Sequence, residues 1–161
     1  IAGDGQVTLG DMAMKQKAVK VRKFDSPKGG VVGGFAGAAA DALTLFERFE
    51  QKLDEYEGDL KRSVVEMAKD WRTDKILRHL EALLLVMDKR NSFIIAGDGN
   101  VIEPDGPIVA IGSGGGFAQA AATAFHQSGK FSVKQIVEKS LKITADLCIY
   151  TNDSITVLEL K

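Results

Sequence analysis

The order of periodicities along this 161-residue chain predicts an α+β fold with helices layered outside sheets. Three observations carry that reading. Strand-like alternation opens the chain, gives way to two helical repeats, returns in the middle, and yields again to two helices before a last strand-like stretch. Short links join the central strands, which makes them antiparallel neighbours. Seventeen glycines exceed what a helical bundle uses and suit tight turns between strands.

Each element has its own justification. The opening Ile1-Ala2-Gly3-Asp4-Gly5-Gln6-Val7-Thr8 has no Met and no polar lead-in, as though the numbering begins inside a strand. Over 18–24, Val19 and Val21 face one way and Lys20 and Arg22 the other, the period of a strand. Ser26-Pro27-Lys28-Gly29-Gly30 then turns the chain, and a second strand over 31–36 carries Gly33 and Gly34 where backbone approaches something closely. Beyond Gly37, Ala42, Leu45, Phe46, Phe49, Leu53 and Tyr56 recur every three or four residues, so one face of a helix is apolar. Gly58 stops that helix, and Asp59 caps the next, with Leu60, Val64, Met67 or Ala68, and Trp71 on its apolar side.

Strands over 82–87, 92–96, 100–103 and 108–111 follow, separated by turns at Asp88-Lys89-Arg90-Asn91, Gly97-Asp98-Gly99 and Pro104-Asp105-Gly106-Pro107. An Ala-rich helix over 117–126 offers small side chains for close packing. Ser132 caps a fourth helix reaching residue 146, with Val133, Ile136, Val137 and Leu141 as its apolar face. Strands over 147–150 and 155–160 close the chain. At this length one hydrophobic core, and so one domain over 1–161, is expected.

Composition excludes several functions. Twenty-one basic residues against twenty-two acidic ones leave a net charge of −1, which favours neither nucleic acid nor an anionic membrane. No apolar run approaches the roughly 20 residues that span a bilayer, so a soluble chain is expected. The single cysteine, Cys148, can form no intrachain disulfide and points to a reducing compartment. With two separated histidines, His79 and His126, it supplies no zinc-binding spacing.

Candidate chemistry lies in three places. Gly112-Ser113-Gly114-Gly115-Gly116 joins a strand to a helix and could cradle a phosphate on the helix N-terminus, which would make a nucleotide-binding protein. Phe117-Ala118 stand where a P-loop needs Lys and Ser or Thr, and a tight strand-to-helix turn explains the same glycines. Asp4 in Gly-Asp-Gly reads as a turn former, and Lys20 among valines as a solvated strand lysine. If Lys20 faced an interior or a cleft it would need an acidic partner, and Asp4 is one candidate. Ser113 has no general base in a motif that would activate it, His79 suits a helix-end role, and Trp71 an apolar anchor.

Six segments, in order over nearly the whole chain, resemble one family. They are Ile-Ala-Gly-Asp-Gly-Gln-x-Thr-Leu-Gly at 1–10, Gly-Phe-Ala-Gly-x-x-Ala-Asp-Ala at 34–42, Ala-Lys-Asp-Trp-Arg-Thr-Asp at 68–74, Leu-Glu-Ala-Leu-Leu at 80–84, Ala-Ile-Gly-Ser-Gly-Gly at 110–115 and Cys-Ile-Tyr-Thr-Asn at 148–152. The family is the HslV (ClpQ) peptidase of the two-component ATP-dependent HslUV protease, a relative of proteasome β subunits. The resemblance implies a four-layer αββα sandwich of the N-terminal-nucleophile hydrolase type. It also implies a homo-oligomer of two stacked hexamers that takes unfolded protein substrates from the HslU ATPase unfoldase, with ATP entering only through that partner. A bacterial cytoplasm, or a mitochondrion of bacterial descent, is the implied compartment.

In that family an N-terminal Thr is the nucleophile and its α-amine the general base. By motif position, the resemblance makes Lys20 the lysine that lowers the amine's pKa and Asp4 the acid that orients it. Gly34 is implied as a backbone donor to the oxyanion, and Ser113 as a proton relay beside the nucleophile. Ala145, Cys148 and Thr151 match positions whose carbonyls can hold a sodium ion, with Ala where Gly is usual. Family members begin with Thr, one strand and a turn upstream of the segment that opens here at Ile1. Residue for residue, the chain is therefore expected to lack its first strand and its nucleophile, and to be inactive as written. The alternative from another class is a non-catalytic, ring-forming scaffold subunit.

Overall fold

A computed structural model describes residues 1–37, 39–75 and 81–160, and for residues 39–43 the backbone alone. The chain divides into two compact units, one made of Ile1–Val21 with Gly106–Glu159 and the other of Arg22–Asp105 with Leu160–Lys161.

The second unit is a five-stranded antiparallel sheet backed by two helices. Its strands are β4 (Val21–Phe24), β5 (Val31–Gly37), β6 (Ala82–Met87), β7 (Ser92–Ala96) and β8 (Val101–Ile102), in that spatial order. Register puts Phe35 opposite Leu84, Leu84 opposite Ile95, and Val86 opposite both Gly33 and Phe93. Opposed residues in an antiparallel pair share a face. That face meets α1 (Ala39–Glu55) and α2 (Leu60–Thr73) in one core containing Phe24, Phe49, Leu53, Val64, Met67 and Trp71. Gly33 earns its place there, because a Cβ would come 2.9 Å from the Phe24 ring and 3.3 Å from Val86. Gly34 lies on the other face of the sheet, opposite Leu85.

Local chemistry sets the boundaries. Asp59 accepts the N–H of Arg62 at 3.0 Å as the N-cap of α2, and this bond, ahead of the nearby Lys28 ammonium, holds its carboxyl below the ordinary range. The two hairpin turns are closed by aspartates that accept backbone N–H groups, Asp88 from Arg90 and Asn91, and Asp98 from Asn100. Trp71 is fully buried, as its role as an anchor requires, and its indole N–H is unpartnered among the described residues.

The first unit contains β1 (Ala2–Gly3) paired with β9 (Thr156–Val157), the hairpin of β2 (Val7–Leu9) with β3 (Met12–Lys15), and the packed pair α3 (Gly115–Ser128) and α4 (Val133–Leu147). Ser132 caps α4 through a complete capping box with Gln135. α4 packs on β1 and β9.

Several boundaries differ from the sequence reading. The opening stretch is two strands rather than one, and β3 shows no alternation because all four of its residues are exposed. The strand expected over 18–24 begins only at Val21, and those over 100–103 and 155–160 shrink to Val101–Ile102 and Thr156–Val157. Residues 108–111 form no strand, since apolar content without a hydrogen-bonded neighbour makes no ladder. Residues 147–150 form no strand either: Leu147 ends α4, Cys148 is its C-cap and donates its N–H to the Thr144 carbonyl at 2.8 Å, and residues 149–150 turn the chain. The buried stripe of α4 runs through Ile136, Ser140 and Thr144, while Val133 is exposed. Both hydroxyls donate to the carbonyl one turn back, at 2.7 and 2.8 Å, which is how polar side chains tolerate that burial. The readings of His79 and of the Ala42 side chain lie outside the described residues. No helix among the described residues is long and apolar enough to cross a membrane.

Candidate active site

Asp4 follows β1 directly, and the glycines on either side set its position. At Gly3 a Cβ would come 3.1 Å from Val21 and 3.4 Å from the Cβ of Lys20, so β1 lies close along the segment that carries the lysine. At buried Gly5 a Cβ would collide with the carbonyl of Gln16, and the Gly5 carbonyl itself accepts the N–H of Ala18 at 2.8 Å. Two glycines thus bring the turn of Asp4 against residues 16–21. The Lys20 ammonium then donates to Asp4 Oδ1 at 2.7 Å.

This ion pair decides between the two readings of Asp4 and Lys20. Lys20 is not a solvated strand lysine: its side chain is 19% exposed and that of Asp4 12%. Asp4 is also the turn former, because its Oδ2 accepts the N–H of Gln6 at 2.9 Å and that of Asn152 at 3.3 Å. A carboxylate held by two backbone donors and one ammonium has little rotational freedom left. The lysine is therefore fixed in place, and Asp4 engages one of its three N–H donors.

Ser113 stands in the turn before α3, in the same unit, and is exposed. Among the described residues no hydrogen bond joins it to Asp4 or Lys20. The glycines around it follow from backbone sign and packing: Gly112 has φ 92°, and a Cβ on Gly114 would collide with Thr144 and sit 2.8 Å from the Thr151 hydroxyl. Gly34 belongs to β5 in the other unit.

Ala145 lies in the last turn of α4, Cys148 is its C-cap, and the Thr151 N–H donates to the Cys148 carbonyl at 3.0 Å. The final carbonyls of a helix lack partners within it and carry the negative end of its dipole. Such a set of neutral oxygens fits a hard monovalent cation in chemistry. Ala145 has ordinary helical backbone, since Glu57 alone among described non-glycine residues has positive φ, so alanine there is unstrained. No cluster of three or more His, Cys, Asp or Glu that could hold a metal ion occurs among the described residues.

Sequence reasoning missed the residues that hold the aspartate turn. Asn152 and Gln6 both reach across it, Gln6 donating to the Ile149 carbonyl at 2.7 Å and to Thr8 at 3.0 Å. The Gln6–Ile149 and Gly5–Asn152 bonds link positions more than a hundred residues apart, and the traces in the sequence are the places of Gln6 within Ile-Ala-Gly-Asp-Gly-Gln and of Asn152 within Cys-Ile-Tyr-Thr-Asn.

Comparison with known proteins bears on this arrangement. A family model for the proteasome subunit matches residues 1–160. The chain is similar to the eukaryotic HslV from Trypanosoma brucei, with 43% identity, 96% of this chain and 88% of that one covered, and a TM-score of 0.88. It shares its fold with the Thiobacillus denitrificans BPH solved in complex with epoxomicin, at 18% identity, 99% and 92% coverage, and a TM-score of 0.74. The chain belongs to the proteasome subunit family, resembles HslV within it, and has the α+β fold of the N-terminal-nucleophile hydrolases.

Proposed function

We propose that this chain is the proteolytic subunit of a two-component ATP-dependent protease, cleaving unfolded proteins inside a double ring by threonine catalysis. The observation that carries the reading is the half-buried Asp4–Lys20 pair at 2.7 Å, in a chain 43% identical to an HslV. The positive charge of a lysine so fixed favours the neutral form of a nearby amine, which is what an α-amine needs to serve as general base.

In this reading the nucleophilic threonine precedes the segment that opens at Ile1. Its hydroxyl proton passes to its own α-amine as Oγ bonds to the substrate carbonyl carbon, and the oxyanion forms. The N–H of Gly34 receives that charge, and Ser113 relays the proton as it moves on to the departing amide nitrogen. The C–N bond breaks, and water then hydrolyses the ester and restores the hydroxyl. Lys20 lowers the amine's pKa and Asp4 orients Lys20. A sodium ion on the carbonyls of Ala145, Cys148 and Thr151 would brace the end of α4 and take no part in bond making. The partner is an HslU-type ATPase, and the compartment is one that holds it, a bacterial cytoplasm or a mitochondrion.

The protein at its natural length provides the test. It is expected to cleave small hydrophobic peptides, faster with an ATP-loaded unfoldase, and Lys20→Ala is expected to lower kcat by about 10²–10⁴-fold with ring assembly retained. Unchanged turnover in Lys20→Ala would overturn the mechanism. Assembled rings that a peptide vinyl sulfone or epoxyketone fails to label would establish the scaffold reading instead.

A further inference from the structure

The Asp4 turn is organised around Asn152. Its side-chain oxygen accepts the N–H of Gly5 at 3.0 Å and that of Ser154 at 3.2 Å. Its side-chain amide donates to the Gln16 carbonyl at 2.9 Å and to the Gln16 side-chain oxygen at 2.8 Å. Its backbone N–H donates to Asp4 Oδ2 at 3.3 Å. One residue therefore ties together the turn of Asp4, the stretch that leads from β3 towards Lys20, and the C-terminal segment.

The chemistry required is specific to an amide. Asp at this position would keep the acceptor and lose both donors to Gln16, and Ala would lose all four side-chain bonds. Both partners of the ion pair hang on the same anchor: Asp4 through the neighbouring Gly5 and the backbone of Asn152, and Lys20 through Gln16 four residues before it. Gln16 is exposed and Asn152 half-buried, so neither is held by an apolar core.

We infer that Asn152 is a positioning residue, which sets the place of the Lys20 ammonium by clamping the Asp4 turn to residues 16–18. It touches no reacting atom and acts through the ion pair. The inference rests on the proposed role of Lys20, and its test separates the two.

Asn152→Ala is made alone and combined with Asp4→Asn in the protein at its natural length, and kcat, KM and ring assembly are measured on a small fluorogenic peptide. Alone it is expected to lower kcat by about 10- to 100-fold, with KM within about twofold and rings intact, because a small displacement of a positioned group costs that much. In the Asp4→Asn background the same change is expected to alter kcat by less than about twofold, since the pair it serves is already broken. Unchanged kcat in the single variant, or effects that multiply in the double one, would overturn the inference. If Asn152→Ala does not assemble, Asn152→Asp is measured in the same cycle, and failure of both to assemble assigns the residue to the fold and overturns the inference too. Full turnover in both Lys20→Ala and Asp4→Asn marks the failure of the peptidase mechanism itself, visible without any Asn152 variant, and the inference falls with it.

Discussion

Around Phe24 the helix-backed sheet closes on three edge-to-face ring contacts at 5.1–5.6 Å, those of Phe24 with Phe46 and Phe49 and of Phe35 with Phe46. Around Asp4 the chain is held by Lys20, Asn152, Gln6 and Gln16, with strands of two to four residues on either side. The apolar core tolerates small shifts, since dispersion and burial depend weakly on angle. The polar turn does not, since each hydrogen bond has a narrow range of length and direction. The Asp4–Lys20 pair thus sits in the unit where hydrogen bonds set the geometry most sharply.

The comparison predicts where stability and turnover part company. Phe49→Ala removes a fully buried ring from the core and is expected to cost about 3–5 kcal/mol in denaturant unfolding, with kcat of the surviving folded protein near normal. A loss of kcat beyond the loss of folded protein would show that the core sets the site directly. Gly5→Ala forces a Cβ onto the Gln16 carbonyl and is expected to cost about 1–3 kcal/mol, and to lower kcat as the Asp4 turn moves. Equal activity at reduced stability would break the link between the turn and the lysine.

The smallest effect contrasts two helix caps. Asp59 has a folded pKa below its unfolded value, so its contribution to α2 is fully present above the unfolded pKa and is lost as pH falls through the folded one. Ser132 does not titrate in that range, and the start of α4 should not respond. An NMR titration from neutral pH to about pH 3 is expected to move the Arg62 amide, bonded to Asp59, and leave the Gln135 amide, bonded to Ser132, in place. Parallel movement of both would mean that a global transition, not the cap, is being read.

Legibility in the sequence followed range. Both helix caps, the stop at Gly58 and the hairpin turns at Asp88 and Asp98 were readable because every bond involved spans a few residues. Gly33 was readable as a close approach, though not as room for the Phe24 ring. Asp4 and Lys20 were readable as a possible pair and no more, because alternation placed the lysine on a solvent face that the structure does not give it. The stretches over 108–111 and 147–150 misled because apolar content is shared by a strand, a half-buried coil and the end of a helix.

The sequence by itself determined the alternation of strand and helix blocks, the caps of α2 and α4, the hairpin turns and the residue types available to the chemistry, because period, capping and turn formation are interactions among near neighbours along the chain. Tertiary structure alone decided that Asp4 meets Lys20 at 2.7 Å and that Asn152 holds the turn between them from 148 positions away from Asp4. Contacts of that separation cost loop-closure entropy and form only when packing elsewhere has brought the segments together.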